Sequence, residues 1–230
     1  MGQHMADSPI ILALDSTDLN LCRNLIMDTK DYVSIYKLGL EFFNQNGANG
    51  VFQLQESVGG FQLFLDLKLH DIPNTIAGAS RAISFLKPSF LTVHASGGKE
   101  MIKSAVAQLP ETAITAVTVL TSLEDESLAE MGLPSAADLV TSLADISVAA
   151  GAQAIVTSPM EVAQLRSRYS SKIKLITPGV RPAQVSDDQA RTATPRQALA
   201  AGADYLVIGR PITGAKDPNQ AAAEIFASLR

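Results

Sequence analysis

The chain has 230 residues, 47% of them hydrophobic and 18% charged, so folding can bury roughly 70 to 75% of the surface that the unfolded chain exposes. With 18 Lys and Arg against 23 Asp and Glu, the net charge of −5 is too small to hold the chain open by self-repulsion, and its acidic sign argues against a nucleic-acid surface. A single cysteine, Cys22, excludes a disulfide framework within the chain and a multi-cysteine metal site, which fits a reducing compartment and makes the cytosol the expected location.

No apolar run reaches the ~18 residues needed to span a bilayer, and no basic stretch followed by an apolar core marks an exported precursor. Residues 1–5, Met-Gly-Gln-His-Met, read as an expression remnant and are set aside together with His4; residues 6–230 are expected to form one domain.

In chain order, β-rich runs fall at Ile10 to Leu14, Val33 to Lys37, Leu63 to Leu69, Phe90 to His94, Ile114 to Leu120, Ala154 to Thr157, Lys174 to Ile176 and Tyr205 to Ile208. Between them, helical spacing of apolar residues predicts helices over Leu19 to Ile26, Thr75 to Leu86, Ile102 to Leu109, Leu139 to Ala150, Pro159 to Arg166, Pro195 to Ala201 and Asn219 to Leu229. Two segments share one pattern, Val148-Ala-Ala-Gly-Ala and Leu199-Ala-Ala-Gly-Ala, in which Gly151 and Gly202 are expected to end helices in the left-handed conformation. Pro73, Pro159, Pro195 and Pro218 are placed to open helices, because the first helical turn accepts a residue without an amide proton. Eight strand-helix units in one chain of this length fit a closed (β/α)8 TIM barrel better than an open doubly wound sheet, and no G-x-G-x-x-G follows the first strand. In such a barrel, chemistry gathers at the C-terminal ends of the strands.

The densest chemical signal is Phe64-Leu-Asp-Leu-Lys-Leu-His-Asp-Ile-Pro-Asn-Thr75. Strand alternation puts Leu65, Leu67 and Leu69 on one face and Phe64, Asp66, Lys68 and His70 on the other, so Asp66 and Lys68 are aimed into the barrel. Buried charges seldom improve on apolar packing for stability, which favours a functional reading of the pair. The second strand ends with Lys37 facing away from Tyr36 and Leu38, and the first with Asp15 on the face of the small Ala13. Neighbouring strands thus deliver Asp15, Lys37, Asp66 and Lys68 to one rim.

After the last strand, Ile208-Gly-Arg-Pro suits a phosphate group: Gly209 allows close backbone approach, and Arg210 adds a charge-assisted fork. Thr177-Pro-Gly-Val-Arg181 offers a second arginine after the seventh strand. Thr121 and Ser122, after the fifth strand, either bind a base or cap a turn. His94 shares a face with Thr92 and reads first as a core or rim residue; for His70, orienting the motif's loop is a sufficient role. Two distant histidines, one cysteine and no H-x-x-x-H give no dedicated zinc site.

These residues resemble the orotidine 5'-monophosphate decarboxylase family. The match runs from Ile10 to the C-terminal helix and rests on Asp66-Leu-Lys-Leu-His-Asp-Ile-Pro-Asn-Thr75, followed in order by Thr177-Pro-Gly-Val-Arg181 and Gly209-Arg210. Leu69 stands where the family usually has an aromatic residue. The resemblance implies decarboxylation of orotidine 5'-monophosphate to UMP without metal or organic cofactor. Lys68 is then the proton donor, Asp66 lies near the substrate carboxylate, and Lys37 and Asp71 complete an alternating Lys-Asp-Lys-Asp array. Asp71, with Ile72 and Thr75, is contributed to the neighbouring site of a homodimer. Asp15 and Lys37 contact ribose hydroxyls, Thr121 and Ser122 approach the pyrimidine or its loop, and Gly209, Arg210, Gln189 and Arg181 hold the phosphate. Two other readings stay open at this point: a magnesium-dependent enzyme acting on keto-sugar phosphates, and a barrel that binds a phosphorylated ligand without turning it over.

Overall fold

The structure, a computed structural model, describes residues 8–180 and 193–229. Eight parallel strands close on themselves in chain order: β1 (Ile10–Ala13), β2 (Ile35–Gly39), β3 (Gln62–Leu69), β4 (Phe90–His94), β5 (Ala113–Val117), β6 (Ala154–Val156), β7 (Lys174–Thr177) and β8 (Tyr205–Ile208). The closing pair is β1 with β8, in the register Ile10 to Leu206. Around the barrel run α1 (Leu19–Thr29), α2 (Leu40–Val58), α3 (Pro73–Ile83), α4 (Gly98–Gln108), α5 (Asp125–Glu130), α6 (Ala136–Ala149), α7 (Val162–Arg168), α8 (Pro195–Ala200), α9 (Arg210–Thr213) and α10 (Pro218–Ser228). The expected (β/α)8 TIM barrel is the observed fold.

Alternation along the strands builds two apolar layers. Ile11, Ile35, Phe64, Phe90, Ala154 and Ile176 fill the barrel interior. Their neighbours Leu12, Tyr36, Leu65, Leu91, Ile155 and Leu175 point outward and pack with helix residues such as Leu25, Phe42, Ile76 and Met101. The inner layer plugs the barrel, so the polar residues one inward step further along β2 to β4, Lys37, Asp66 and Thr92, have a solid floor beneath them.

Several helix boundaries follow the local chemistry. Pro73, Pro195 and Pro218 each sit in the first turn of their helices, and Thr194 and Gln197 form a reciprocal capping box on α8. Gly151 and Gly202 take φ of 96° and 109°, the left-handed geometry their position at a helix end requires. Pro159 departs from expectation: it lies in a turn, and α7 begins three residues later at Val162. There Ser158 turns its hydroxyl back to the Glu161 carboxylate, holding the turn that precedes the helix. Helix α2 has no counterpart among the predicted elements because Gly47 and Gly50 interrupt its apolar periodicity; Gly47, at φ 62° and ψ −171°, kinks it. Strand β5 ends at Val117, short of Leu120, and Thr118 to Ser122 form the loop leading to α5.

Candidate active site

A cleft of about 500 Å³ opens at the C-terminal ends of the strands. Ala13, Asp15, Lys37, Phe64, Asp66 and Lys68 line one side; Val117, Val119, Thr121, Val156, Pro178, Gly179, Val207, Gly209 and Arg210 line the other. The four charged residues read from the first three strands therefore meet in one place.

Asp66 is the hub. Its carboxylate reaches Lys68 Nζ at 2.8 Å through one oxygen and Lys37 Nζ at 3.2 Å through the other, with only 13% of the side chain exposed. Lys37 continues the chain of charges to Asp15 at 3.4 Å. Burial pushes the Asp66 carboxyl up, but Lys37 and then Lys68 outweigh it and hold the group below its ordinary value. For Lys37, burial works downward and the two carboxylates, Asp66 first, carry it above its ordinary value. Both residues are thus charged at neutral pH. Gly39 lies against the array: a Cβ there would be in ordinary contact with Lys37 Nζ at 3.4 Å and Asp15 Oδ1 at 3.5 Å.

Lys68 reaches the cleft by leaving the strand geometry. Between Leu65 and Leu69, β3 advances four residues while β4 advances two, from Leu91 to Val93, so β3 bulges. Within the bulge Lys68 has φ of 47°, a left-handed conformation costing a lysine about 1 to 2 kcal/mol. Its amide donates to Thr92 Oγ1 at 2.8 Å in place of a ladder carbonyl, and the Thr92 hydroxyl donates in turn to Asp66 Oδ1 at 3.0 Å. Simple alternation expects one shared face from Phe64 to His70, but the inward face ends at Lys68. His70 is exposed and packs against His94, with ring centroids 5.3 Å apart and ring planes tilted by 41°. Burial, His70 and Lys68 together lower the His94 pKa below its ordinary value.

The other predicted residues divide into three groups. Thr121, Gly209 and Arg210 line the cleft, whereas Ser122 is exposed one step beyond it. Asp71, Ile72 and Thr75 lie outside the cleft and are exposed; Ile72 is 66% exposed, and Asp71 accepts a hydrogen bond from its amide at 2.6 Å. Within the chain, the ion pairs of Lys68 and Lys37 are made to Asp66 and Asp15. Arg181 and Gln189 lie outside the described residues. Cys22 is buried, its thiol pushed up to about 11, which suits packing rather than nucleophilic chemistry. Among the described residues no group of three or more His, Cys, Asp and Glu is gathered as a metal site. Sequence reasoning missed Thr92 as a site residue, although its shared face with His94 pointed inward, and it missed the apolar wall of Val117, Val156 and Val207.

Comparison with known proteins decides the family. The model of the orotidine 5'-phosphate decarboxylase / HUMPS family matches residues 8–225. The chain belongs to that family. It is 50% identical to the orotidine 5'-phosphate decarboxylase of Thermobifida fusca (strain YX), over 97% of this chain and 96% of that one. The protein of the same description from Novosphingobium aromaticivorans is 46% identical over 96% of this chain and 99% of its own length. Among solved structures, orotidine 5'-phosphate decarboxylase from Lactobacillus acidophilus superposes with a TM-score of 0.84 at 35% identity, covering 97% of this chain and all of that one.

In a member of the orotidine 5'-phosphate decarboxylase / HUMPS family, this arrangement has a definite chemical capacity. It presents an ammonium, Lys68, beside a desolvated carboxylate whose charge is already balanced by a second ammonium. Such a group can stabilise negative charge developing on a carbon and then surrender a proton to it, with little reorganisation at the moment of reaction. The opposite wall, with its valines and the Gly209-Arg210 corner, offers an apolar face and an anion-binding end.

Proposed function

We propose that this chain decarboxylates orotidine 5'-monophosphate to UMP in pyrimidine biosynthesis, with Lys68 as the group that protonates the product carbon. The observation that carries the reading is the Lys37-Asp66-Lys68 array in the cleft, in a chain matched almost end to end by orotidine 5'-phosphate decarboxylases. Breaking the bond from C6 to the carboxylate releases carbon dioxide and leaves an electron pair on C6. The Lys68 ammonium faces that pair, lowers its energy and transfers a proton, forming the C6–H bond of UMP; the resulting amine recovers its proton from water. Neither a metal nor an organic cofactor takes part in the proposed reaction.

Asp66 is assigned to the neighbourhood of the substrate carboxylate. Two unit negative charges about 4 Å apart repel by ~4 kcal/mol at an effective dielectric of 20. An enzyme must remove ~8 to 23 kcal/mol of barrier, so stabilisation by the fixed ammonium contributes more than this repulsion. Arg210, the Gly209 backbone, Gln189 and Arg181 are assigned to the phosphate, whose binding energy positions the reacting carbon at a distance. Asp15 and Lys37 are assigned to the ribose hydroxyls, and Thr121 and Ser122 to the pyrimidine side. We further propose a homodimer in which Asp71, Ile72 and Thr75 serve the neighbouring site; their exposure outside the cleft supports this. The lone cysteine and the lack, among the described helices, of one able to cross a membrane fit a cytosolic enzyme.

The test follows the ultraviolet absorbance of orotidine 5'-monophosphate on adding protein, with and without a chelator. Loss of the orotate absorbance that persists with chelator supports the reading, and abolition by chelator rejects it in favour of metal-dependent chemistry. Unchanged turnover by Lys68→Ala would reject the assignment of Lys68.

A further inference from the structure

We propose that Thr92 is a positioning residue for this reaction: its hydroxyl locks the strained Lys68 backbone and the Asp66 carboxylate into one unit that aims the Lys68 ammonium. The proposal rests on the decarboxylase reading of the cleft. Thr92 is fully buried on β4, directly across from the β3 bulge. A hydroxyl has one proton to give and lone pairs to receive with, and both capacities are used here: it accepts from the Lys68 amide at 2.8 Å and donates to Asp66 Oδ1 at 3.0 Å. That same Asp66 oxygen takes the Lys68 ammonium at 2.8 Å.

Backbone and side chain of one lysine are therefore tied through two atoms to a neighbouring strand. The tie matters because the Lys68 conformation does not hold itself. A φ of 47° is unfavourable for a lysine and persists only when its surroundings specify it. At the bulge the strand ladder cannot specify it, since the β3–β4 register skips from Leu65 to Leu69. The Thr92 hydroxyl supplies the acceptor that the ladder lacks at this amide. Without it, Lys68 can relax toward ordinary strand geometry and turn its side chain, and Asp66 Oδ1 loses one of its two donors.

The consequence is selective. Thr92 is buried behind the array, and its partners act on the reacting carbon rather than on phosphate or ribose. Its loss should slow the chemical step and leave ground-state binding nearly intact. The test compares Thr92→Val, which keeps the branched shape without the hydroxyl, with Thr92→Ser, which keeps the hydroxyl. We expect Thr92→Val to lower kcat by about 10- to 100-fold, the scale of a misplaced catalytic group, with KM and the Kd for UMP within about threefold of the parent. Thr92→Ser should restore kcat to within about threefold. Hydrogen exchange at the Lys68 amide gives a readout independent of turnover: protected in the parent and the serine variant, it should exchange faster in the valine variant. If the valine variant does not fold, Thr92→Cys, whose thiol is a weak donor, takes its place with the same expectations.

Parent-like kcat in Thr92→Val, or a serine variant as slow as the valine one, would overturn the proposal while leaving the decarboxylase reading intact. If the parent itself does not consume orotidine 5'-monophosphate, the functional reading fails instead. The exchange data would still decide whether Thr92 holds Lys68.

Discussion

The two halves of the barrel bring opposite chemistry to one cleft. Strands β1 to β4 supply Asp15, Lys37, Asp66, Lys68 and Thr92, an array joined by ion pairs and hydrogen bonds of 2.8 to 3.4 Å. Strands β5 to β8 supply Val117, Val156 and Val207, ending at Gly209 and Arg210. The centre of the charged half is over-determined, Asp66 and Lys37 each having two ionic partners, as groups that must meet a transition state without reorganising should be. The apolar half offers shape and ends in the Gly209-Arg210 corner, where β8 meets β1 beside Asp15. On the proposed function the two halves divide the labour: the charged wall carries the chemistry and holds the ribose, and the other wall holds the pyrimidine side and the phosphate.

The largest effect should come from Lys68→Ala, which leaves the apolar wall whole: kcat/KM for orotidine 5'-monophosphate is expected to fall about a thousandfold or more, with UMP binding retained in titration calorimetry. Asp66→Ala comes next, because it strands the buried Lys37 with the half-exposed Asp15 as its remaining carboxylate. Removing one partner of a buried pair costs about 3 to 5 kcal/mol, which urea unfolding would read directly. On the other wall, Arg210→Ala should raise KM by about 10- to 100-fold through a lost charge-assisted contact, with a smaller change in kcat. Val117→Ala is expected to cost about 1.5 kcal/mol of stability through lost buried methyl groups while leaving the pH dependence of turnover unchanged. A kcat effect from Val117 larger than that from Asp66 would break the division.

The pH dependence of stability sharpens the same contrast, since it belongs to the charged wall. The Asp66 pKa is lowered from an ordinary value of 3.8, so its contribution is complete above about pH 4 and disappears as the pH falls through the depressed value. The Lys37 pKa is raised from 10.5, so its contribution is complete below that pH and is lost as the pH rises through the raised value. Between these limits the contribution of Asp66 and Lys37 is constant, so a decline in melting temperature inside them is expected only from groups such as His94 below about pH 6.5 and Cys22 above about pH 9. Asp66→Asn should remove the acid-side contribution of this residue.

Sequence made the charged wall legible and left the apolar one in shadow. Period-2 alternation placed Lys37 opposite Tyr36 and Asp66 opposite Leu65 because ordinary strands obey it, and charged residues on an inward face are conspicuous. Valines at strand ends carry no such mark; Val117 and Val207 look like any core residue until the barrel closes. Alternation also named Lys68 for a partly mistaken reason. Its side chain reaches the cleft through a bulge and a left-handed backbone that depend on Thr92 in the next strand, a contact between residues 24 positions apart. Helix α2 was hidden for a related reason, as its glycines break the local pattern while packing of Phe42, Val51 and Leu54 sustains the helix. Helix starts at Pro73, Pro195 and Pro218 were readable because capping is local.

The most direct measurement is a crystal structure of the protein with UMP bound. Lys68 Nζ is expected within about 3.5 Å of pyrimidine C6, the separation of groups poised to react, with its ion pair to Asp66 kept. A pyrimidine whose C6 faces the valine wall, or a Lys68 side chain turned away from it, would rule out Lys68 as the proton donor.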